Sequence, residues 1–110
     1  MTNLYAVDKK RWGQMTIFDQ MGNISSEVGR SFSAKRRGDE ADCQQAVERA
    51  IDLFDSTISL LIKNKSPKSK EVLRAKESFL SAIFNKTQQS DDQKLERYFM
   101  QYAIASRLNR

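Results

Sequence analysis

Apolar residues recur every three or four positions along most of the chain, which is the spacing of an amphipathic α-helix. The first such stretch runs from Ile17 to Phe32, with steps of four, three, four and four residues between its apolar positions. Thr16 precedes it and Asp19 follows three residues later, a pair that resembles a capping box. The run Lys35–Gly38 closes the stretch, because cations suit the negative end of a helix and glycine adopts the left-handed conformation there. We therefore predict a first helix between Thr16 and this basic run.

Three further stretches show the same spacing and begin at recognisable caps. Asp39 is a favourable N-cap for a second helix. The pair Ser66–Pro67 suits the N-cap and first position of a third helix, where proline needs no hydrogen-bond donor. A fourth helix begins at Ser90–Asp92, and its apolar positions continue to Leu108. No segment alternates with a period of two over a useful length, so we predict no sheet.

The lengths of these stretches and the short polar breaks between them indicate how the helices pack. Helices of about 20 residues joined by short loops pack antiparallel to their neighbours. We predict an all-α fold, an antiparallel up-down four-helix bundle over residues 16–110 with an irregular N-terminal arm over residues 1–15. Tyr5 and Trp12 are candidates to pin this arm to the bundle. A chain of 110 residues has room for one compact domain.

The composition argues against most catalytic and metal-dependent classes. The chain contains no histidine, the commonest general base and metal ligand. It has no P-loop, glycine-rich dinucleotide turn, CxxC pair or nucleophile elbow. Most carboxylates fall in the first turns of predicted helices, where capping explains them. We predict a protein that is not an enzyme and needs no metal or cofactor.

The single cysteine and the hydropathy pattern bear on location. Cys43 has no partner for an internal disulfide, which suits a reducing compartment, and we interpret it as a small apolar side chain. No apolar run approaches the roughly 20 residues that cross a bilayer. The first residues do not form a secretory signal. We therefore expect a cytoplasmic protein that does not contact membranes.

The net charge of +5 and the pI of about 9.5 suit an anionic partner. In an up-down bundle, the arm, the end of the second helix, the start of the third and the end of the fourth share one end of the molecule. Such a surface binds phosphate backbones with little sequence discrimination. The alternative is an ordinary solvated surface. The predicted nucleic-acid-binding residues are Lys9, Lys10, Arg11, Lys63, Lys65, Lys68, Lys70, Arg107 and Arg110.

Two features predict contact with a second protein chain. Glycine inside a helix costs about 1 kcal/mol relative to alanine, so a face of small residues on the first helix indicates close approach of another backbone, within the bundle or from a partner. The fourth helix has a second apolar face, which favours burial on two sides. We predict self-association or binding of a protein partner. The predicted interface residues are Gly22, Ser26, Gly29, Met100, Ile104 and Leu108.

The stretches Met21–Arg30 and Tyr98–Ala103, together with the size, charge and helix layout, resemble the small basic accessory variability proteins of diversity-generating retroelements. That resemblance implies an oligomeric helical barrel whose basic surface binds nucleic acid and a reverse transcriptase. It carries over no particular functional residue.

These observations predict a non-enzymatic accessory or adaptor protein. In this interpretation the chain self-associates, binds the backbone of RNA or DNA, and contacts a partner protein such as a reverse transcriptase. The alternative is a structural or protein-interaction scaffold subunit that does not bind nucleic acid.

Overall fold

The computed structural model describes residues 8–85 and 89–108. Within these ranges the chain forms five α-helices and no strand, which confirms the predicted all-α class. No helix in the same ranges combines the length and apolar character needed to cross a bilayer. The helices are α1 (Lys9–Gly13), α2 (Ile17–Arg37), α3 (Glu40–Lys63), α4 (Lys68–Phe84) and α5 (Gln89–Leu108).

The N-terminal arm contains a short helix, α1, where we predicted irregular structure. The side chain of Asp8 caps this helix by accepting a hydrogen bond from the backbone N–H of Arg11 at 3.2 Å. The prediction is therefore wrong for residues 9–13, because five residues are too few to show a hydrophobic period and a helix this short depends on tertiary contacts. Tyr5 lies outside the described residues.

The caps set the boundaries of α2 and α3 as predicted. The hydroxyl of Thr16 accepts a hydrogen bond from the backbone N–H of Asp19 at 3.1 Å, and the carboxylate of Asp39 accepts one from Asp42 at 3.0 Å. Gly38 is left-handed, with φ of 73°, and ends α2. These local hydrogen bonds satisfy helix-end groups that would otherwise be left without partners.

The starts of α4 and α5 each differ from the prediction by one residue. Helix α4 begins at Lys68, so Pro67 stands immediately before it, and the Ser66 hydroxyl accepts a hydrogen bond from the backbone N–H of Lys68 at 3.3 Å. Helix α5 begins at Gln89.

A chain of four buried phenylalanines joins α2, α3, α4 and α5. The ring centroids of Phe32 and Phe79 are 5.9 Å apart, those of Phe79 and Phe54 are 6.1 Å apart, and those of Phe54 and Phe99 are 5.9 Å apart. All four side chains are fully buried. Aromatic pairs at this separation contribute about 0.5–1.5 kcal/mol each beyond their burial. One residue from each long helix therefore meets at the centre of the core.

Polar contacts fix the helices near their ends. The ammonium group of Lys35, at the end of α2, lies 3.0 Å from the carboxylate of Asp92 at the start of α5. In the other half of α5, the hydroxyl of Tyr102 donates to the carboxylate of Glu71 in the first turn of α4 at 2.9 Å. The start of α4 therefore lies beside the last half of α5.

A buried polar relay attaches the N-terminal segment to α2 and α3. The indole N–H of Trp12 donates to the hydroxyl oxygen of Thr57 at 2.9 Å, and that hydroxyl donates to the side-chain oxygen of Gln20 at 2.9 Å. The side-chain nitrogen of Gln20 donates to the carbonyl oxygens of Trp12 and Met15 at 2.9 and 3.2 Å. Trp12 pins the segment as expected, with Gln20 and Thr57 as its partners.

We expect Thr57→Val to destabilise the protein by about 1–3 kcal/mol, because the substitution keeps the shape but leaves the buried donor of Trp12 and acceptor of Gln20 without partners. Urea unfolding measures this change. Ser59→Ala removes an exposed hydroxyl from the same helix and is expected to change the free energy of unfolding by less than about 0.5 kcal/mol. Equal effects of the two substitutions would contradict the role of the relay.

Candidate nucleic-acid interface and association face

The predicted phosphate-binding cations are exposed wherever the structure describes their side chains. Seven side chains are described, and all are exposed: Lys10, Arg11, Lys63, Lys65, Lys68, Lys70 and Arg107. Lys9 lies in α1, where its side chain is outside the description, and Arg110 lies outside the described residues. The seven exposed cations are termed the cationic set.

Ion pairing separates the cationic set from six of the nine other cations whose side chains the structure describes. Six basic side chains elsewhere lie within 4.0 Å of a carboxylate, whereas no member of the cationic set does so among the described residues. Three further described cations, Arg74, Lys94 and Arg97, also have no carboxylate within this distance among the described residues, so unpaired positive charge is not confined to the predicted set. The six paired side chains are Arg30, Lys35, Arg36, Arg37, Arg49 and Lys76.

Helix α1 packs against α3, which places the basic residues of the arm near the end of that helix. Trp12 bonds to Thr57, and a Cβ built at Gly13 would lie 3.9 Å from the side chain of Leu60. Lys63 and Lys65 follow within the next five residues of the chain. Helix α1 therefore lies beside the last two turns of α3, which ends at Lys63.

The start of α4 and the end of α5 lie close to one another. The ammonium group of Lys68 is 5.8 Å from the ring centroid of Phe18, at the start of α2. Tyr102, which bonds to Glu71 in the first turn of α4, is five residues before Arg107. Burial and the hydrogen bonds to Tyr98 and Glu71 raise the pKa of Tyr102, so its hydroxyl stays protonated and donates to the nearby carboxylate.

Lys65 adopts a backbone conformation that favours glycine. Its φ is 54°, the left-handed region. The backbone N–H of Lys65 donates to the carbonyl oxygen of Ile62 at 3.0 Å, and the N–H of Ser66 donates to the carbonyl oxygen of Leu61 at 2.8 Å. These two hydrogen bonds form a Schellman motif at the end of α3. A residue with a side chain costs about 1–2 kcal/mol in this conformation. The chain thus carries a lysine at a position where glycine is more stable.

We expect Lys65→Gly to raise the free energy of unfolding by up to about 1 kcal/mol, because glycine removes the left-handed strain and this gain exceeds its entropic cost. Lys65→Ala keeps the strain and serves as the matched control, with no gain expected. Chemical denaturation of both variants measures the difference. A gain of the same size in both would contradict the assignment of strain to the backbone.

The small-residue face of α2 is open rather than packed at Gly29. No atom lies within 4 Å of a Cβ built on this glycine, so no neighbouring backbone of the described chain requires it. Gly22 is half-buried, and the exposed hydroxyl of Ser26 donates to the carbonyl of Gly22 at 3.3 Å. Close packing inside the fold, one of the two explanations that the sequence left open, is therefore wrong at Gly29.

The second apolar face of α5 points to solvent. The side chains of Met100, Ile104 and Leu108 are 54%, 49% and 79% exposed, whereas Phe99 on the core side is fully buried. Near Met100, a surface groove runs between α5 and Arg36 of α2. The sequence therefore located an apolar surface correctly, and its use in association stays a prediction.

We expect Gly29→Ala to stabilise the protein by up to about 1 kcal/mol, because alanine is the better helix former and its methyl group meets no atom of the chain. The matched control is Gly38→Ala. Gly38 has a φ of 73°, and alanine there should destabilise by about 1–2 kcal/mol. Thermal and urea unfolding distinguish the two. Destabilisation by Gly29→Ala would indicate a close contact at this position.

Cys43, in the first turn of α3, lies beside a cavity. Its side chain is half-buried beside a cavity of about 620 Å³ between α3 and the end of α4. Burial raises the pKa of the Cys43 thiol, and the nearby Lys35 ammonium offsets this only in part. Across the described ranges, no group of three potential metal-ligating side chains converges.

No protein-family model, curated protein or solved structure matches this chain.

Proposed function

We propose that this protein is a non-enzymatic accessory protein that holds the phosphate backbone of RNA or DNA on its cationic set. The observation that carries the proposal is that all seven members of the cationic set are exposed and have no carboxylate partner among the described residues, whereas six of the nine other described cations have one. Cations without carboxylate partners are free to bind phosphates and release the counterions condensed there, which supplies the affinity. Contacts of this kind discriminate little between sequences.

The proposal includes the up-down arrangement of α2, α3, α4 and α5. Two contacts support it: Lys35 with Asp92 near one end, and Tyr102 with Glu71 towards the other. Alternating helix directions gather the end of α3, the start of α4 and the end of α5, together with α1. Cations that are far apart along the chain then act on a single polyanion.

We also propose a cytoplasmic location and a protein partner as parts of this function. The lone Cys43 suits a reducing compartment. The resemblance to retroelement accessory proteins suggests a reverse transcriptase as the partner, and the exposed apolar side chains of α5 offer a surface for association. Such a protein would bring the nucleic acid and the enzyme together.

A scaffold subunit without nucleic-acid binding is the second candidate. The exposure of Met100, Ile104 and Leu108 favours it, because contiguous apolar surface on a folded chain marks association sites. In that case the excess positive charge would serve solubility alone.

Fluorescence anisotropy with labelled single-stranded RNA and duplex DNA, measured at about 50 and 200 mM salt, tests the function. We expect Lys63→Gln/Lys70→Gln to weaken binding and to lower the slope of log affinity against log salt by about 0.7–0.9 for each lost phosphate contact. Both residues are exposed, so the fold should be unchanged in circular dichroism.

The control for this pair removes the same charge elsewhere. Arg37→Gln/Lys94→Gln neutralises two exposed cations outside the cationic set, and we expect a smaller loss of affinity with nearly the wild-type salt slope. Equal losses in the two double variants would show a general charge effect. Absence of binding at low salt, or binding that does not change with salt, would reject the proposal.

A further inference from the structure

Phe18 is an aromatic side chain that the core does not use. It is the second residue of α2 and is 37% exposed, whereas its neighbour Ile17 packs against the buried core. The four phenylalanines that join the helices are all fully buried. A lone exposed apolar residue is ordinary on a protein surface, so the groups beside this ring decide what it can bind.

The ring of Phe18 lies beside the cationic set. The ammonium group of Lys68 is 5.8 Å from the ring centroid. Three more exposed lysines, Lys63, Lys65 and Lys70, lie within five residues of Lys68 along the chain. None of the four has a carboxylate within 4.0 Å among the residues that the structure describes. This surface therefore suits a ligand that carries both negative charge and a flat apolar face.

Two carboxylates lie in the first turns of α2 and α4. Glu71 of α4 accepts a hydrogen bond from the hydroxyl of Tyr102 at 2.9 Å, so its carboxylate is directed towards α5. Asp19 of α2 is half-buried, and its charge opposes a phosphate at this turn. The four lysines outnumber these two carboxylates, so the surface beside Phe18 keeps an excess of positive charge.

Single-stranded nucleic acid has both properties that this surface favours. Its phosphates carry the negative charge, and every base has a π-face that stacks on an aromatic ring. In a duplex, each base is already stacked between its neighbours, so an aromatic side chain reaches a base face only where the bases are unpaired. A phenyl ring has no hydrogen-bonding group, so such stacking tolerates any sequence.

We propose that Phe18 stacks on an unpaired base and that Lys68 binds a phosphate of the same strand. This inference rests on the proposed function and narrows its ligand to single-stranded RNA or DNA. The ammonium group of a lysine is at the end of a flexible stem. Lys68 can therefore bind a phosphate while its stem stays beside the ring, and the lysines that flank it are available to the neighbouring phosphates.

Strands with and without bases separate stacking from charge. One probe is a labelled oligothymidylate of about 16 nucleotides, within the range of known binding-site sizes. The other is a strand of the same length in which every residue is abasic, so the two probes carry the same phosphates. At one salt concentration, fluorescence anisotropy should show at least about fivefold tighter binding of the oligothymidylate, which is the contribution of one stacked base.

Substitutions at Phe18 and Lys68 assign the two contributions. Phe18→Leu should weaken binding of the oligothymidylate and leave the affinity for the abasic strand unchanged. Phe18→Trp should bind the oligothymidylate at least as tightly as the wild type, because it keeps a ring that stacks. Lys68→Gln should weaken binding of both probes by the same factor, since both present phosphates.

Phe84→Leu is the matched control. Phe84 is 73% exposed and is the last residue of α4. It lies about 24 Å from Lys68 along the helix at 1.5 Å per residue. This substitution removes an exposed ring far from the lysines, and it should leave the affinities for both probes unchanged.

Equal affinity of the wild type for the two probes would overturn the proposal. A Phe18→Leu variant that keeps the wild-type preference, or an equal loss in Phe84→Leu, would also overturn it. Circular dichroism checks each fold, and if Phe18→Leu does not fold, the wild type and Phe18→Trp decide the question. Equal but salt-dependent binding of both probes would reject stacking and leave the proposed function standing. Binding of neither probe at about 50 mM salt would reject both.

Discussion

The contact of four phenylalanine rings at the centre of the core is the constraint on which the remaining structure depends. Phe32, Phe54, Phe79 and Phe99 come from four different helices, and each ring lies about 6 Å from the next. Sliding one helix along its axis would pull its ring out of this packed chain and open a void, so the packing favours one height of each helix relative to the others. The helix ends therefore occupy fixed places, and the residues on them can form a surface.

The sequence predicts the long helices well because their signals are local. A cap such as Asp39 and a left-handed glycine such as Gly38 act within one turn, so the boundaries of α2 and α3 follow from the residues beside them. Long-range contacts leave no comparable signal. The buried positions of Gln20 and Thr57 were missed because polar residues are expected at the surface, and only their hydrogen bonds to Trp12 and to each other make burial favourable.

The candidate site likewise has some features that the sequence predicts and others that it does not. Exposure of the cations and of Met100 and Leu108 follows from the helical period, since both sets fall outside the core-facing positions. The pairing of individual cations does not, because it depends on which side chains of other helices come near. Arg49, for example, lies 3.0 Å from the buried carboxylate of Glu27, 22 residues away along the chain. Neither partner was singled out by the sequence pattern.

The relay that anchors the N-terminal segment also has an optical consequence. Trp12 is the only tryptophan in the chain, and its indole is buried and bonded to Thr57. It stands next to Arg11, in the same short helix as two of the predicted phosphate-binding lysines. The tryptophan fluorescence of the protein therefore originates at one site. When it is excited at wavelengths that tyrosine does not absorb, the emission of Trp12 reports whether α1 is docked, and no attached dye is needed.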